Sequence, residues 1–220
     1  MTDDPPLFHI ALRLGGRPCL VVGGGPVGAR KAASLAASGA LVTVVAPEVS
    51  PEVSAELEGI GVKIERRPYD AADLDGCRLV VAATGVGAVD RKVYEDARAR
   101  GVLVNAADDP EACEYLVPAV LRTGPVSVAV STGGLSPYLA GWIKRRVGTV
   151  LGPELADLAG IVGRCRSALR GAGLSSEDAD WDELVDGVLW PLLEAGKAEE
   201  ADAAAAEWTA RKLAARGLPG

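Results

Sequence analysis

The stretch from Cys19 to Gly28, Cys-Leu-Val-Val-Gly-Gly-Gly-Pro-Val-Gly, constrains the fold more than any other segment. An apolar run breaks into Gly23-x-Gly25-x-x-Gly28 and passes directly into Ala29-Arg-Lys-Ala-Ala-Ser-Leu-Ala-Ala-Ser38. Buried strand, glycine turn and helix N-terminus thus follow one another in the order that a dinucleotide-binding βα unit needs. Gly23 permits the tight turn, Gly25 lets backbone approach a pyrophosphate, and Gly28 lets the helix lie close to the strand. An anion held there rests on free N–H groups and the positive end of the helix dipole. Gly23, Gly24, Gly25, Pro26, Val27 and Gly28 make the candidate cradle. A plain βα turn is the competing reading, and the flanking strand and helix weigh against it.

The apolar pattern continues from this start. Strands are predicted at 18–23, 40–46 and 62–66 with helices at 26–38 and 51–58 between them, then strand 78–83, helix 88–100 and strand 102–106. Continuous apolar strands separated by helices indicate a parallel sheet covered on both faces. Right-handed crossovers and a switch point beside the first strand predict strand order 3-2-1-4-5. After Asp109-Pro110 the pattern changes: 114–121 and 126–131 read as extended, and Ser136-Pro137 opens a helix running to about Val147 or Leu151. Three further helices are predicted at 153–170, 178–195 and 197–216, broken at Gly171-Ala-Gly173 and Gly196. The expected division is 1–113, 114–150 and 151–220.

Composition excludes several classes of function. Hydrophobic residues make up 49% of the 220, enough for a sizeable core. A net charge of −7 argues against nucleic acid as a partner. The acidic excess lies in 151–220, whereas the first 150 residues are almost neutral. No apolar run approaches the roughly 20 residues of a membrane span, and Met-Thr-Asp-Asp-Pro-Pro lacks the basic start of a signal peptide, so a cytoplasmic protein is expected. Cys19, Cys77, Cys113 and Cys165 form no C-x-x-C pair, which disfavours a disulfide framework or a thiolate metal site. His9 is the single histidine and reads as a surface or packing residue.

Three further segments carry candidate chemistry. The second strand ends Val45-Ala46-Pro47-Glu48, where a carboxylate is placed to accept from ribose hydroxyls; Glu48 is equally readable as a solvated residue before the next helix. No arginine stands directly at that strand end to receive a 2′-phosphate, which favours NAD over NADP. Asn105-Ala-Ala-Asp108-Asp109-Pro110 lies at the carboxyl end of the fifth strand, where open α/β sheets bind ligands. A carboxylate there can face both cofactor and substrate, or simply occupy a polar turn. Ser131-Thr-Gly-Gly-Leu-Ser-Pro137 is either a second anion cradle or a capped turn.

Taken together, these residues resemble the precorrin-2 dehydrogenase family, the N-terminal module of siroheme synthases. The matching marks are Pro6-Leu-Phe-His-Ile10, Gly15-Gly-Arg-Pro-Cys through Gly28-Ala-Arg-Lys-Ala32, Val44-Val-Ala-Pro-Glu48, Val81-Ala-Ala-Thr84, Asn105-x-x-Asp108 and Val128-Ala-Val-Ser-Thr-Gly-Gly-Leu-Ser-Pro137. They cover about residues 6–150, and the tail matches only as an expected helical region.

The resemblance implies an α/β protein: an NAD-binding Rossmann domain, a small dimerisation region at 114–150 and an α-helical C-terminal domain. It implies a homodimer that oxidises precorrin-2 to sirohydrochlorin, with NAD⁺ accepting hydride and Asp108 in the position of the catalytic aspartate. Thr84 and Asn105 join Pro47, Glu48 and the glycine turn as cofactor residues. Arg122, Ser131, Thr132, Gly133, Gly134 and Lys144 fall in the substrate region. Thr132 stands where some members carry a phosphorylatable serine. Since the chain ends at 220, no fused methyltransferase module is expected.

Some members of the family also insert Fe²⁺ into sirohydrochlorin. One histidine and no cysteine pair weigh against that activity here. The substrate is a polycarboxylate, so an acidic protein needs a local basic face, for which Lys144-Arg145-Arg146, Arg122 and Arg30-Lys31 are candidates. Trp142, Trp181, Trp190 and Trp208 all lie late in the chain and read first as core or interface filling. The alternative to an enzyme is a non-catalytic nucleotide-sensing module, which explains 18–106 equally well but not Asn105-x-x-Asp108 or 131–137.

Overall fold

In the computed structural model, which describes residues 6–107, 109–175 and 180–215, the apolar runs pair into one five-stranded parallel sheet. Strands β1 (Pro18–Val22), β2 (Leu41–Val45), β3 (Lys63–Glu65), β4 (Leu79–Ala82) and β5 (Leu103–Ala106) lie in the order β3-β2-β1-β4-β5, as predicted. Val21 stands opposite Val44 on one side and Val81 on the other. Successive residues of a strand point to opposite faces, so each strand feeds two cores. Val21, Val44 and Val81 pack with Ala29 and Ala32 of helix α1 (Pro26–Ala36) and Leu57 of α2 (Pro51–Gly59). Leu20, Val80 and Val104 pack with Val93 and Ala97 of α3 (Gly87–Arg100) on the other face. The crossovers therefore cover both faces and leave the carboxyl ends of the strands open to a ligand.

Local chemistry sets the ends of these elements. Pro26 occupies the first helical turn of α1 without losing a bond that the helix would use. Gly101, at φ +67°, closes α3 in the left-handed conformation. Two single-turn helices were not anticipated, at Ala71–Leu74 and Pro110–Ala112. Both start at an aspartate, Asp70 and Asp109, whose side chain caps the turn.

Beyond Val117 the chain forms a second compact unit, Pro118–Gly220, distinct from Met1–Val117. Strands β6 (Ala119–Thr123) and β7 (Val126–Val130) make an antiparallel hairpin, followed by α4 (Pro137–Gly148), which Ser136 caps. The extended segment expected at 114–121 pairs only from Ala119. Pro118 has no N–H for a ladder, and Cys113 instead bridges Asn105. Helices α5 (Glu154–Gly171), α6 (Trp181–Leu184), α7 (Trp190–Glu194) and α8 (Ala198–Ala214) enclose a core that includes Leu169, Leu184, Leu189 and Trp208. The helix expected over 178–195 widens into a π-type turn at Val185–Leu189. Pro191 cannot donate to the Gly187 carbonyl and its ring crowds that position, so the helix loosens there. Residues 178, 179 and 216, which two of the predicted helices include, lie outside the described residues. No helix among the described residues is long and apolar enough to cross a membrane.

Candidate dinucleotide site

The glycine turn joins β1 to α1 at the carboxyl edge of the sheet. Gly23 has φ +124° and donates its N–H to the Val45 carbonyl at 3.0 Å. A side chain there would overlap the Ala83 carbonyl, and one at Gly28 would overlap the Gly23 carbonyl. These two positions must be glycine for β1, β4 and α1 to come this close. Gly25 differs, because a Cβ there meets nothing within 4 Å. It is the N-cap of α1, and no side chain caps the helix. The first-turn N–H groups of α1 therefore have no side-chain acceptor among the described residues, which suits a phosphate group. On this observation the residues present fit a dinucleotide.

A cleft of about 360 Å³ opens beside this turn. Gly23, Gly24, Gly25, Pro47, Glu48 and Thr84 all line it, so most of the cofactor residues expected from the sequence come together. Pro26, Val27 and Gly28 form the adjoining first turn of α1. Sequence reasoning missed Pro68, Tyr69, Val86 and Val89, which complete the walls. Tyr69 is fixed there: its hydroxyl donates to Asp96 at 3.1 Å, and Lys92 Nζ lies 5.4 Å from its ring centre. Burial, and next the Asp96 bond, push its phenol well above the ordinary value. The available signal was Arg66-Arg67-Pro68-Tyr69 following β3, which ends at the same edge as β1.

Two guanidiniums, those of Arg66 and Arg67, follow β3. Arg67 is held by Glu65 and Asp73, and Arg66 donates to Ser54 Oγ at 2.6 Å. Glu48 therefore stands as the charged group lining the β2 end of the cleft.

At the end of β5, Asn105 is buried rather than exposed to the cleft. Its Nδ2 donates to the Tyr115 carbonyl at 2.9 Å and to Cys113 Sγ at 3.2 Å, so it clamps the following loop to the strand. Its Oδ1 is buried without a partner among the described residues. Asp108 lies outside the described residues, but both neighbours are anchored. Ala107 N–H donates to the Ala82 carbonyl at 2.9 Å, and Asp109 accepts from Glu111 N–H at 3.1 Å and from Arg91 at 2.6 Å. Asp109 is thus occupied as cap and ion-pair partner. Lys31 of α1 is half-buried, and burial followed by the nearby Arg30 lowers its pKa.

The family described as putative NAD(P)-binding matches residues 10–119, half of the chain. The chain belongs to that family. A second family, described as sirohaem biosynthesis protein central, matches residues 123–148. A siroheme synthase of Pseudomonas fluorescens is 37% identical over 199 residues, which span 90% of this chain and 42% of that protein. A siroheme synthase of Nitrosococcus oceani is 35% identical over 197 residues, 89% of this chain and 42% of that protein. The chain thus spans about two fifths of the curated relatives it matches. Among solved structures, SirC, a precorrin-2 dehydrogenase, superposes with a TM-score of 0.69 at 27% identity, covering 91% of this chain and all of SirC. The family resemblance drawn from the sequence is borne out.

Within the second unit, the sirohaem-family segment holds the remaining expected residues. Arg122 lies exposed on β6 and Lys144 half-buried on α4. The turn 131–136 satisfies its own donors: Ser131 Oγ accepts from Gly133 N–H at 3.2 Å, and Thr132 Oγ1 accepts from Ser136 N–H at 3.1 Å. Gly133 and Gly134 take φ +64° and +86°. This geometry favours the capped turn over a preformed anion cradle. Trp208 is buried against Trp181 with ring centres 5.1 Å apart, whereas Trp142 is exposed beneath the Arg146 guanidinium.

Proposed function

We propose that this protein is an NAD-dependent precorrin-2 dehydrogenase that oxidises precorrin-2 to sirohydrochlorin. The carrying observation is the uncapped N-terminus of α1 beside a cleft at the carboxyl edge of the sheet. Bound NAD⁺ supplies the hydride acceptor. The glycine turn and the first turn of α1 hold its pyrophosphate, and Glu48 accepts from the adenosine ribose. Among the described residues no arginine lines the cleft beside Glu48, which supports NAD over NADP.

Oxidation removes a hydride and a proton from the macrocycle, and Asp108 takes the proton as general base. Asn105 positions the base-bearing loop through its bonds to Tyr115 and Cys113. Arg122 and Lys144 meet the substrate carboxylates, and residues 114–150 form a homodimer interface. The protein acts in the cytoplasm. Titration with NAD⁺, followed by addition of precorrin-2 under anaerobic conditions, tests the assignment. Binding with stoichiometric turnover to NADH supports it, whereas tight binding without turnover identifies a nucleotide-sensing module instead.

A further inference from the structure

Asp90 belongs to the first turn of α3 and is only 8% exposed, one of the few charged side chains sequestered in this unit. Its Oδ1 accepts two hydrogen bonds from one residue, the Thr84 N–H at 3.1 Å and the Thr84 hydroxyl at 2.8 Å. The same hydroxyl accepts the Val86 N–H at 3.0 Å. The Val86 carbonyl is a competing acceptor for the hydroxyl proton, but it is neutral and farther away at 3.3 Å. A hydroxyl carries one proton and two lone pairs, and a charged acceptor at shorter distance takes that proton. One lone pair is used by Val86. What remains on Thr84 Oγ1 is a single acceptor site, on a residue lining the 360 Å³ cleft.

From this geometry we propose that Asp90 is a positioning residue that fixes the polarity of the Thr84 hydroxyl, so that Thr84 presents only an acceptor to the bound dinucleotide. The inference rests on the assignment of the cleft to NAD. The group that Thr84 receives must then be a donor, a ribose hydroxyl or the carboxamide NH₂. A phosphate oxygen or a carbonyl at the same place would face a lone pair. Asp90 also lines a smaller recess of about 120 Å³ with Gly85, Gly87, Ala106 and Asp109.

The obvious structural explanation, that Asp90 merely holds the start of α3, makes a different prediction. Asp90→Asn keeps the size and an acceptor for the Thr84 N–H. Its amide oxygen is a neutral acceptor, so charge no longer holds the Thr84 proton and the hydroxyl is released to turn toward the Val86 carbonyl or into the cleft. Thr84→Val removes the hydroxyl altogether, and Thr84→Ser retains it.

Calorimetric titration of NAD⁺ into the parent, Asp90→Asn, Thr84→Val, Thr84→Ser and the Asp90→Asn/Thr84→Val double variant tests the proposal, with thermal melts of each apo-protein alongside. Asp90→Asn and Thr84→Val should each weaken binding about 3- to 10-fold, the range of one lost neutral hydrogen bond. Thr84→Ser should lose less than Thr84→Val. The double variant should be no weaker than Thr84→Val alone, because Asp90 acts through that hydroxyl. Additive losses, or Asp90→Asn binding as tightly as the parent, overturn the proposal and leave the cofactor assignment standing. Gly25→Asp is the control for that assignment: if it binds NAD⁺ like the parent, the placement of the cofactor and the proposal fall together.

Discussion

Gly23, Gly25 and Gly28 share one motif but differ in what forces them to be glycine. At Gly23 and Gly28 the neighbouring backbone leaves no room for a Cβ, so alanine there should destabilise the protein itself. At Gly25 there is open space, and aspartate is a favourable N-cap residue. Gly25→Asp should therefore melt at or above the parent's temperature while losing NAD⁺ binding, since its carboxylate takes the phosphate's place at the helix N-terminus. Calorimetric titration with parallel melting curves checks both halves; a variant that binds NAD⁺ undiminished removes the phosphate from this turn. Asp109 is committed to Arg91 and the Glu111 N–H, so its replacement by alanine removes a cap.

Among the elements, β3 and the turn after it hold the clearest electrostatic device. Arg67 pairs with Glu65 and Asp73, and its hydrogen bond is the chief reason Asp73 titrates below the ordinary carboxylate range. A carboxyl depressed in the folded state contributes stability above its unfolded pKa and loses it as pH falls through the folded one. Thermal melts taken downward from pH 5 should show this loss below about pH 4, and Arg67→Gln should flatten that dependence. An unchanged slope in the variant would show that the pair contributes nothing measurable.

In the helical unit, Trp208 is 3% exposed and packs against Trp181 with the two rings tilted by 38°. Trp208→Ala should cost about 3–5 kcal/mol of stability, as large-to-small core changes do. Urea unfolding followed by circular dichroism measures it, and a loss under 1 kcal/mol would contradict its place in the core.

The elements also mark where the sequence stops being informative. Apolar periodicity and glycine punctuation make the strand order and the glycine turn legible, because both depend on local patterns. Tyr69 and Pro68 reach the cleft only because β3 lies two strands from β1, a neighbourhood no local pattern encodes. Asp90 reads as an ordinary acid near a helix start until Thr84 is seen bonded to it. The π-type turn at Val185–Leu189 follows from Pro191 acting on a carbonyl four residues back, which a helical periodicity passes over. Asn105 is a polar residue at the end of β5 whose hold on the following loop becomes visible only with its partners, the Tyr115 carbonyl and Cys113 Sγ.

For the whole molecule, the proposed homodimer is tested at the exposed apolar residues around the start of α4. Leu135, Tyr138, Leu139 and Trp142 are 79%, 75%, 44% and 44% exposed along the start of α4, inside the segment matched by the sirohaem family. Such a stripe calls for a partner. Light scattering should show a dimer at micromolar concentration, and Leu135→Glu combined with Tyr138→Glu should shift it toward monomer. A stable monomer of the parent would contradict the interface.

The most direct measurement is the rate of NADH formation from precorrin-2 and NAD⁺ by the parent, Asp108→Ala and Asp109→Ala under anaerobic conditions. The parent should turn over. Asp108→Ala should lose on the order of 10²–10⁴-fold in rate, the contribution of a positioned acid or base, with NAD⁺ affinity nearly intact, while Asp109→Ala loses little. A parent that forms no NADH contradicts the dehydrogenase assignment. An active Asp108→Ala beside an inactive Asp109→Ala contradicts the assignment of the base.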